Sequence, residues 1–97
     1  MKLDLNFLSF QKELLALSKA DLNIFIKSAK KISKMDIITI KQSSGLNLEK
    51  IKNIKTLSGK TLYSIRMSKS FRAVITIDGD YFRFISLHPD HDSAYKN

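Results

Sequence analysis

Residues 62–95 read LYSIRMSKSFRAVITIDGDYFRFISLHPDHDSAY. Three runs of alternating apolar and polar residues follow one another, and a short tail carries both histidines of the chain and a tyrosine. All three arginines, Arg66, Arg72 and Arg83, lie inside this stretch. Side chains two apart on a strand share a face. Tyr63, Ile65 and Met67 therefore point one way and Ser64, Arg66 and Ser68 the other. In the second run Phe71, Ala73, Ile75 and Ile77 share a face, opposite Arg72, Val74 and Thr76.

The connections must respect those faces. Asp78-Gly79 is a favoured two-residue hairpin loop, because Asp and especially Gly tolerate positive φ. It predicts Ile77 opposite Asp80, with Phe82 and Phe84 joining the apolar face and Arg83 the other. Between the first two runs, a two-residue loop at Lys69-Ser70 would set Met67 against Arg72 and mix core with solvent. A three-residue loop, Ser68 to Ser70, instead pairs Met67 with Phe71 and Ile65 with Ala73, and sets Arg66 across from Arg72. Like charges facing each other destabilise a sheet. Guanidiniums gathered this way point to a bound anion, and Arg forks match phosphate oxygens at any relevant pH. The plainer alternative is an ordinary polar, solvent-facing side of an antiparallel sheet.

Pro89 cannot donate to a ladder and ends the last strand. Around it stand His88, His91, Asp92 and Tyr95, so both imidazoles lie at the exit of the strand beside the arginines. Histidine is the side chain best suited to proton transfer near neutral pH. A metal site on this tail would lack a preorganised third and fourth ligand. Neither a phosphate-binding glycine loop nor a nucleophile elbow is present. No metal and no cofactor are expected. Phe82 and Phe84 could serve as stacking platforms for RNA, but their parity with Ala73 and Ile75 assigns them to the core.

Upstream, Lys2 to Phe7 alternates as a short strand, and Ser9 caps a helix through about Leu17 with Phe10, Leu14 and Leu17 inward. Ser18 to Asp21 resembles a capping box. In the helix that follows, Leu22, Phe25, Ile26, Ala29 and Ile32 form the apolar stripe, and Lys27, Lys30, Lys31 and Lys34 take the other faces. Asp36 to Gly45 fits either a strand or a buried helical turn. Leu46 to Ile54 reads as a short helix with Leu48, Ile51 and Ile54 inward, and Thr56 to Lys60 as a loop.

At 97 residues the chain is one domain, 1–97, with a modest core. The absence of cysteine excludes disulfides and thiolate metal sites and fits a cytoplasmic protein. Neither a run of transmembrane length nor a signal peptide is evident, so no membrane role is expected. The net charge of +8 favours a polyanionic partner. Residues 27–60 carry nine lysines against Asp36 and Glu49, which concentrates that surplus. Candidate RNA-contacting lysines are Lys27, Lys30, Lys31, Lys34, Lys50, Lys52 and Lys69.

The pattern LYSIRMSKSFRAV, DGDYFRFISL, HPDHDSAY resembles the RelE/ParE superfamily of toxin–antitoxin toxins, on the RelE side. The resemblance covers the C-terminal third, and the N-terminal half only in layout. It implies an α+β fold similar to microbial ribonucleases: a short N-terminal strand, two helices, then a three-stranded antiparallel meander. It implies a cytoplasmic toxin that cleaves mRNA in the ribosome through attack of the 2′-hydroxyl, and a cognate antitoxin that neutralises it in a hetero-oligomer. Arg72 then matches the arginine on the scissile phosphate, and Arg66 a basic residue of the preceding strand. Tyr95 matches a C-terminal aromatic, and His91 with Asp92 a His-Asp pair; His88 and Arg83 support them. Ser64 stands where some relatives carry a second lysine, and the tail has no arginine. The same fold could instead serve as a binding module, either a ParE-like gyrase inhibitor or a catalytically inactive toxin homologue. A nucleic-acid-binding protein with no toxin role is a third reading.

Overall fold

The computed structural model describes residues 1–89, and its centre is the strand Phe71–Asp78. Phe71, Ala73 and Ile75 along that strand are all but sealed from solvent. In chain order the elements are β1 (Lys2–Asp4), α1 (Leu8–Leu15), α2 (Lys19–Ser33), α3 (Ile37–Gln42), β2 (Glu49–Lys55), β3 (Thr61–Arg66), β4 (Phe71–Asp78) and β5 (Tyr81–Pro89). The result is an α+β architecture with a five-stranded mixed sheet in the order β1-β5-β4-β3-β2. Consecutive strands β2 to β5 pair antiparallel, and β1 adds in parallel beside β5.

The three expected strands are β3, β4 and β5. The meander has a fourth strand, because Leu46–Ile54, read above as a short helix, instead gives β2. Helical spacing of Leu48, Ile51 and Ile54 misled there: Ile54 is more than half exposed, and β2 is an edge strand with little to bury. Its edge is guarded by Lys50, Lys52 and Lys55 and by a register irregularity between Lys50 and Lys55, where Asn53 takes positive φ. Lysines and irregularities of this kind block pairing with foreign strands.

The β3–β4 register matches the expectation, with Ile65 opposite Ala73 and Arg66 opposite Arg72. The β4–β5 turn is shifted by one residue. Asp78 pairs with Tyr81 and Ile77 with Phe82, so Gly79 and Asp80 form the loop. Gly79 takes φ +61° at its first position, where a glycine is preferred in a type II′ hairpin. A bulge then leaves Ile85 unpaired, since Ile75 faces Phe84 and Val74 faces Ser86. Strict alternation past Phe84 would turn Leu87 outward. The extra residue keeps Leu87 buried opposite Ala73 and sends Ser86 and His88 to the other face.

The helices cover one face of the sheet. Phe10 of α1 and Phe25 of α2 meet Phe84 at ring-centroid distances of 5.4 and 5.2 Å, and Phe82 adjoins Phe84 at 5.3 Å. Ile32, Ile40 and Ile65 complete this core. Helix α1 begins one residue before the expected cap, after Phe7, with no side-chain cap. Ser18 caps α2 as expected, its Oγ accepting from the Asp21 amide at 3.2 Å. The buried stripe of α2 runs through Asp21, Phe25, Ser28, Ala29 and Ile32; Ile26, expected inside, is 40% exposed. The ambiguous segment after Asp36 is the helix α3, capped by Asp36 Oδ1 on the Thr39 amide at 2.8 Å. Beyond the reach of β1, α1 serves the free edge of β5: the Leu87 amide donates to Glu13 Oε1 at 2.7 Å. Among the described residues, no helix is long and apolar enough to cross a membrane.

Ion pairs bind the far end of the sheet. Arg83 Nε donates to Asp4 Oδ2 at 2.7 Å, and Arg83 Nη1 lies 3.5 Å from Asp78 Oδ2. Lys60 reaches Asp78 at 3.1 Å. The hydrogen bond from Arg83 holds the Asp4 carboxyl below the usual carboxylate range, and that from Lys60 does the same for Asp78. An unfolded chain takes up protons on these groups near pH 4, before the folded chain does. Their stabilisation is thus present above about pH 4 and lost as pH falls. Asp4→Asn is expected to lower stability at neutral pH by about 1–2 kcal/mol, after allowance for partial exposure. Melting followed from neutral pH into acid is the check: the fall in Tm below about pH 4 should be shallower in Asp4→Asn than in the wild type.

Candidate functional site

Three strands contribute one row of polar side chains to the face away from the helices. Arg66 on β3 faces Arg72 on β4, and Arg72 faces His88 on β5. Adjacent strands lie about 4.8 Å apart, so the row is about 10 Å wide. The Arg66 amide donates to Leu46 O at 2.7 Å, on the side of β2, not toward β4. Arg66 and Arg72 therefore form the closer kind of antiparallel pair, with Cα atoms about 4.5 Å apart. The next row along the same face is Glu49, Ser64, Val74 and Ser86. Ser86 Oγ lies 2.8 Å from His88 Nε2 and restrains the exposed imidazole beside Arg72.

Arg66 and Arg72 have no acid to answer them among the described residues. Among the described residues, every ion pair falls on Lys2, Lys60 or Arg83. Arg66 Nε is buried without a hydrogen-bond partner among the described residues. A buried donor left unmet costs about 1–3 kcal/mol, and facing cations add to that. A phosphate seated on this row would meet both demands, since its oxygens accept from several guanidinium donors at once.

Arg83 shares the face but not the row. It pairs with Thr76, four residues along β4 from Arg72, or about 13 Å. The parallel strand β1 brings Asp4 against it, which raises its pKa further and occupies its fork. Its neighbourhood is thus a compensated ion network, and sequence parity alone could not separate it from the other two. His88 enters the row only through the bulge at Ile85, for which the alternation carried no signal. His91, Asp92 and Tyr95 lie outside the described residues.

The candidate RNA-contacting lysines fall into four groups. Lys27 and Lys31, with Ile24 and Ser28 on the same stripe of α2, line a cleft of about 270 Å³ against Met67 and Ser68. Lys30 and Lys34 are exposed one step around that helix, and Lys50 and Lys52 are exposed on the edge strand. Lys69 is exposed at the tip of the β3–β4 turn. The opposite end of the open face is apolar: Phe7, Leu57, Leu62 and Ile85 line a groove of about 460 Å³.

No protein-family model matches this chain, and comparison with curated proteins and with solved structures returns no match.

The strain in the arginine row has a measurable signature. Arg66→Met keeps the apolar stem and removes both the unmet donor and one of the facing charges. It is expected to stabilise the protein by about 0.5–1 kcal/mol, or roughly 2–8 °C in Tm. Inorganic phosphate should raise the Tm of the wild type more than that of Arg66→Met, a difference that thermal denaturation with and without the anion reads directly.

Proposed function

We propose that this protein is a RelE-like toxin of a type II toxin–antitoxin system, an endoribonuclease that cleaves mRNA on the ribosome. The observation that carries the reading is the row Arg66, Arg72 and His88, uncompensated among the described residues, on the open face of an antiparallel sheet. That row lies next to the end of β5, from which the residue-level resemblance continues into His91, Asp92 and Tyr95.

In this reading the 2′-oxygen of a ribose attacks the adjacent phosphorus. A bond from that oxygen to phosphorus forms, and the bond from phosphorus to the 5′-oxygen of the next nucleotide breaks. The products are a 2′,3′-cyclic phosphate and a free 5′-hydroxyl. The 2′-proton passes to a base, and an acid returns a proton to the departing 5′-oxygen. Arg72 and Arg66 hold the non-bridging oxygens and stabilise the negative charge that accumulates on them, an effect strongest where the donors are already aimed. His91 is the proton carrier implied by the resemblance, with Asp92 orienting it and Tyr95 stacking on a base or assisting the transfer. His88 places a second imidazole beside Arg72. The exposed lysines Lys30, Lys34, Lys50, Lys52 and Lys69 would hold ribosomal RNA through its phosphates, with affinity falling as salt rises. An acidic antitoxin would cover the same cationic surface.

Cell-free translation of a defined mRNA tests the proposal. The wild type should cut the ribosome-bound transcript, and Arg72→Ala should lower the cleavage rate about 10²–10³-fold while retaining the fold. Intact transcripts with the wild type, or equal cleavage by Arg72→Ala, would sink the nuclease. Inhibition of gyrase supercoiling with mRNA left whole would favour the binding-module reading instead.

A further inference from the structure

The cleft between α2 and the β3–β4 turn is separate from the arginine row, yet it starts one residue away from it. Arg66 and Met67 are consecutive, and consecutive strand residues face opposite sides of a sheet. Arg66 thus ends the row on the open face, while Met67 forms a wall of the cleft on the helix side. The turn Ser68–Ser70 passes between the two sites, with Lys69 exposed at its tip.

The cleft is chemically suited to an anion. Lys27 and Lys31 stand one helical turn apart on the same stripe of α2, and neither has an ion pair among the described residues. Asp21, the acid on α2, is not among the lining residues. Lys31 Nζ lies 3.9 Å from where a Cβ would stand on Gly45, so the loop after α3 borders its ammonium group. Two hydroxyls complete the lining. Ser28 Oγ donates to the Met67 carbonyl at 3.3 Å, which fixes α2 to the end of β3. Ser68 Oγ accepts from the Phe71 amide at 3.3 Å, and its own proton remains for a ligand.

We infer that this cleft is a second phosphate seat, and that a single polynucleotide strand crosses the Ser68–Ser70 turn with one phosphate on the arginine row and another between Lys27 and Lys31. The inference rests on the nuclease reading for the identity of the ligand and extends it to the path of the strand. The two seats lie on opposite sides of a three-residue turn. A duplex, stiff over about 150 base pairs, cannot fold around such a turn, whereas a single strand can. Phe71, the aromatic at the turn, is fully buried and offers no face for stacking. Across the turn, the described residues therefore hold the backbone without reading a base.

The test is binding of a fluorescent hexanucleotide of 2′-O-methyl RNA, which lacks the attacking hydroxyl, measured by anisotropy across a salt series. The full-length wild type is compared with Lys27→Ala/Lys31→Ala, with Arg72→Ala, and with Lys12→Ala/Lys19→Ala, which removes the same charge from elsewhere. Loss of one phosphate contact should lower the slope of log affinity against log salt by about 0.7–1 in Lys27→Ala/Lys31→Ala, with the Lys12/Lys19 variant unchanged. Ser68→Asp keeps an acceptor for the Phe71 amide and adds a negative charge to the cleft. It should weaken binding too, and it serves if the double variant fails to fold. Equal slopes for the two lysine pairs, with Arg72→Ala still impaired, would overturn the second seat and leave the arginine site standing. Absence of salt-dependent binding by the wild type would overturn both.

Discussion

Alternation along β4 governs everything on the open face of this sheet. Phe71, Ala73 and Ile75 must point to the helices to close the core, and that obligation turns Arg72 outward. The three-residue turn then delivers Arg66 opposite it, whereas a turn one residue shorter would break the apolar pairing of β3 with β4. Hydrophobic burial of those three side chains, about 1.5–3 kcal/mol for a full-sized one, outweighs the repulsion of two facing guanidiniums. The arrangement can therefore persist without a ligand while remaining improvable by one.

The arginines divide by their surroundings. Arg83 lies between Asp4 and Asp78, and its charge is used up in tying β1 and β4 to β5. Among the described residues, Arg66 and Arg72 have no such acids, and the Nε of Arg66 is enclosed without an acceptor. One guanidinium stabilises the fold, and the other two leave capacity on its surface. The contrast supports a functional assignment better than net charge does, since an even coat of lysine would give the same total.

Much of this was legible in the sequence because it follows from periodicity. The β3–β4 register, the outward pair Arg66 and Arg72, the buried Phe82 and Phe84 and the Ser18 cap all rest on local patterns that tertiary contacts reinforced. The rest depended on partners distant in the chain. Nothing near Ile85 announces a bulge, yet the bulge decides that Leu87 is inside and His88 outside. The pairing of Arg83 with Asp4 requires β1 to lie parallel to β5, a contact across 79 residues. Leu48, Ile51 and Ile54 carry helical spacing, but that segment extends because β3 offers it an edge. The Lys27–Lys31 cleft needed α2 to dock against the turn through Ser28, which no stretch of α2 discloses by itself.

The parallel placement of β1 has a consequence in time. Lys2 finds its strand neighbour only at Tyr81, so the first strand made is the last to be paired. At about 5–20 residues per second, translation separates the two by roughly 4–16 s. During that interval Asp4 has no arginine and the nascent chain has no finished sheet. The row of Arg66, Arg72 and His88 needs β5 beside β4, so it cannot be completed until nearly all of these residues have been synthesised.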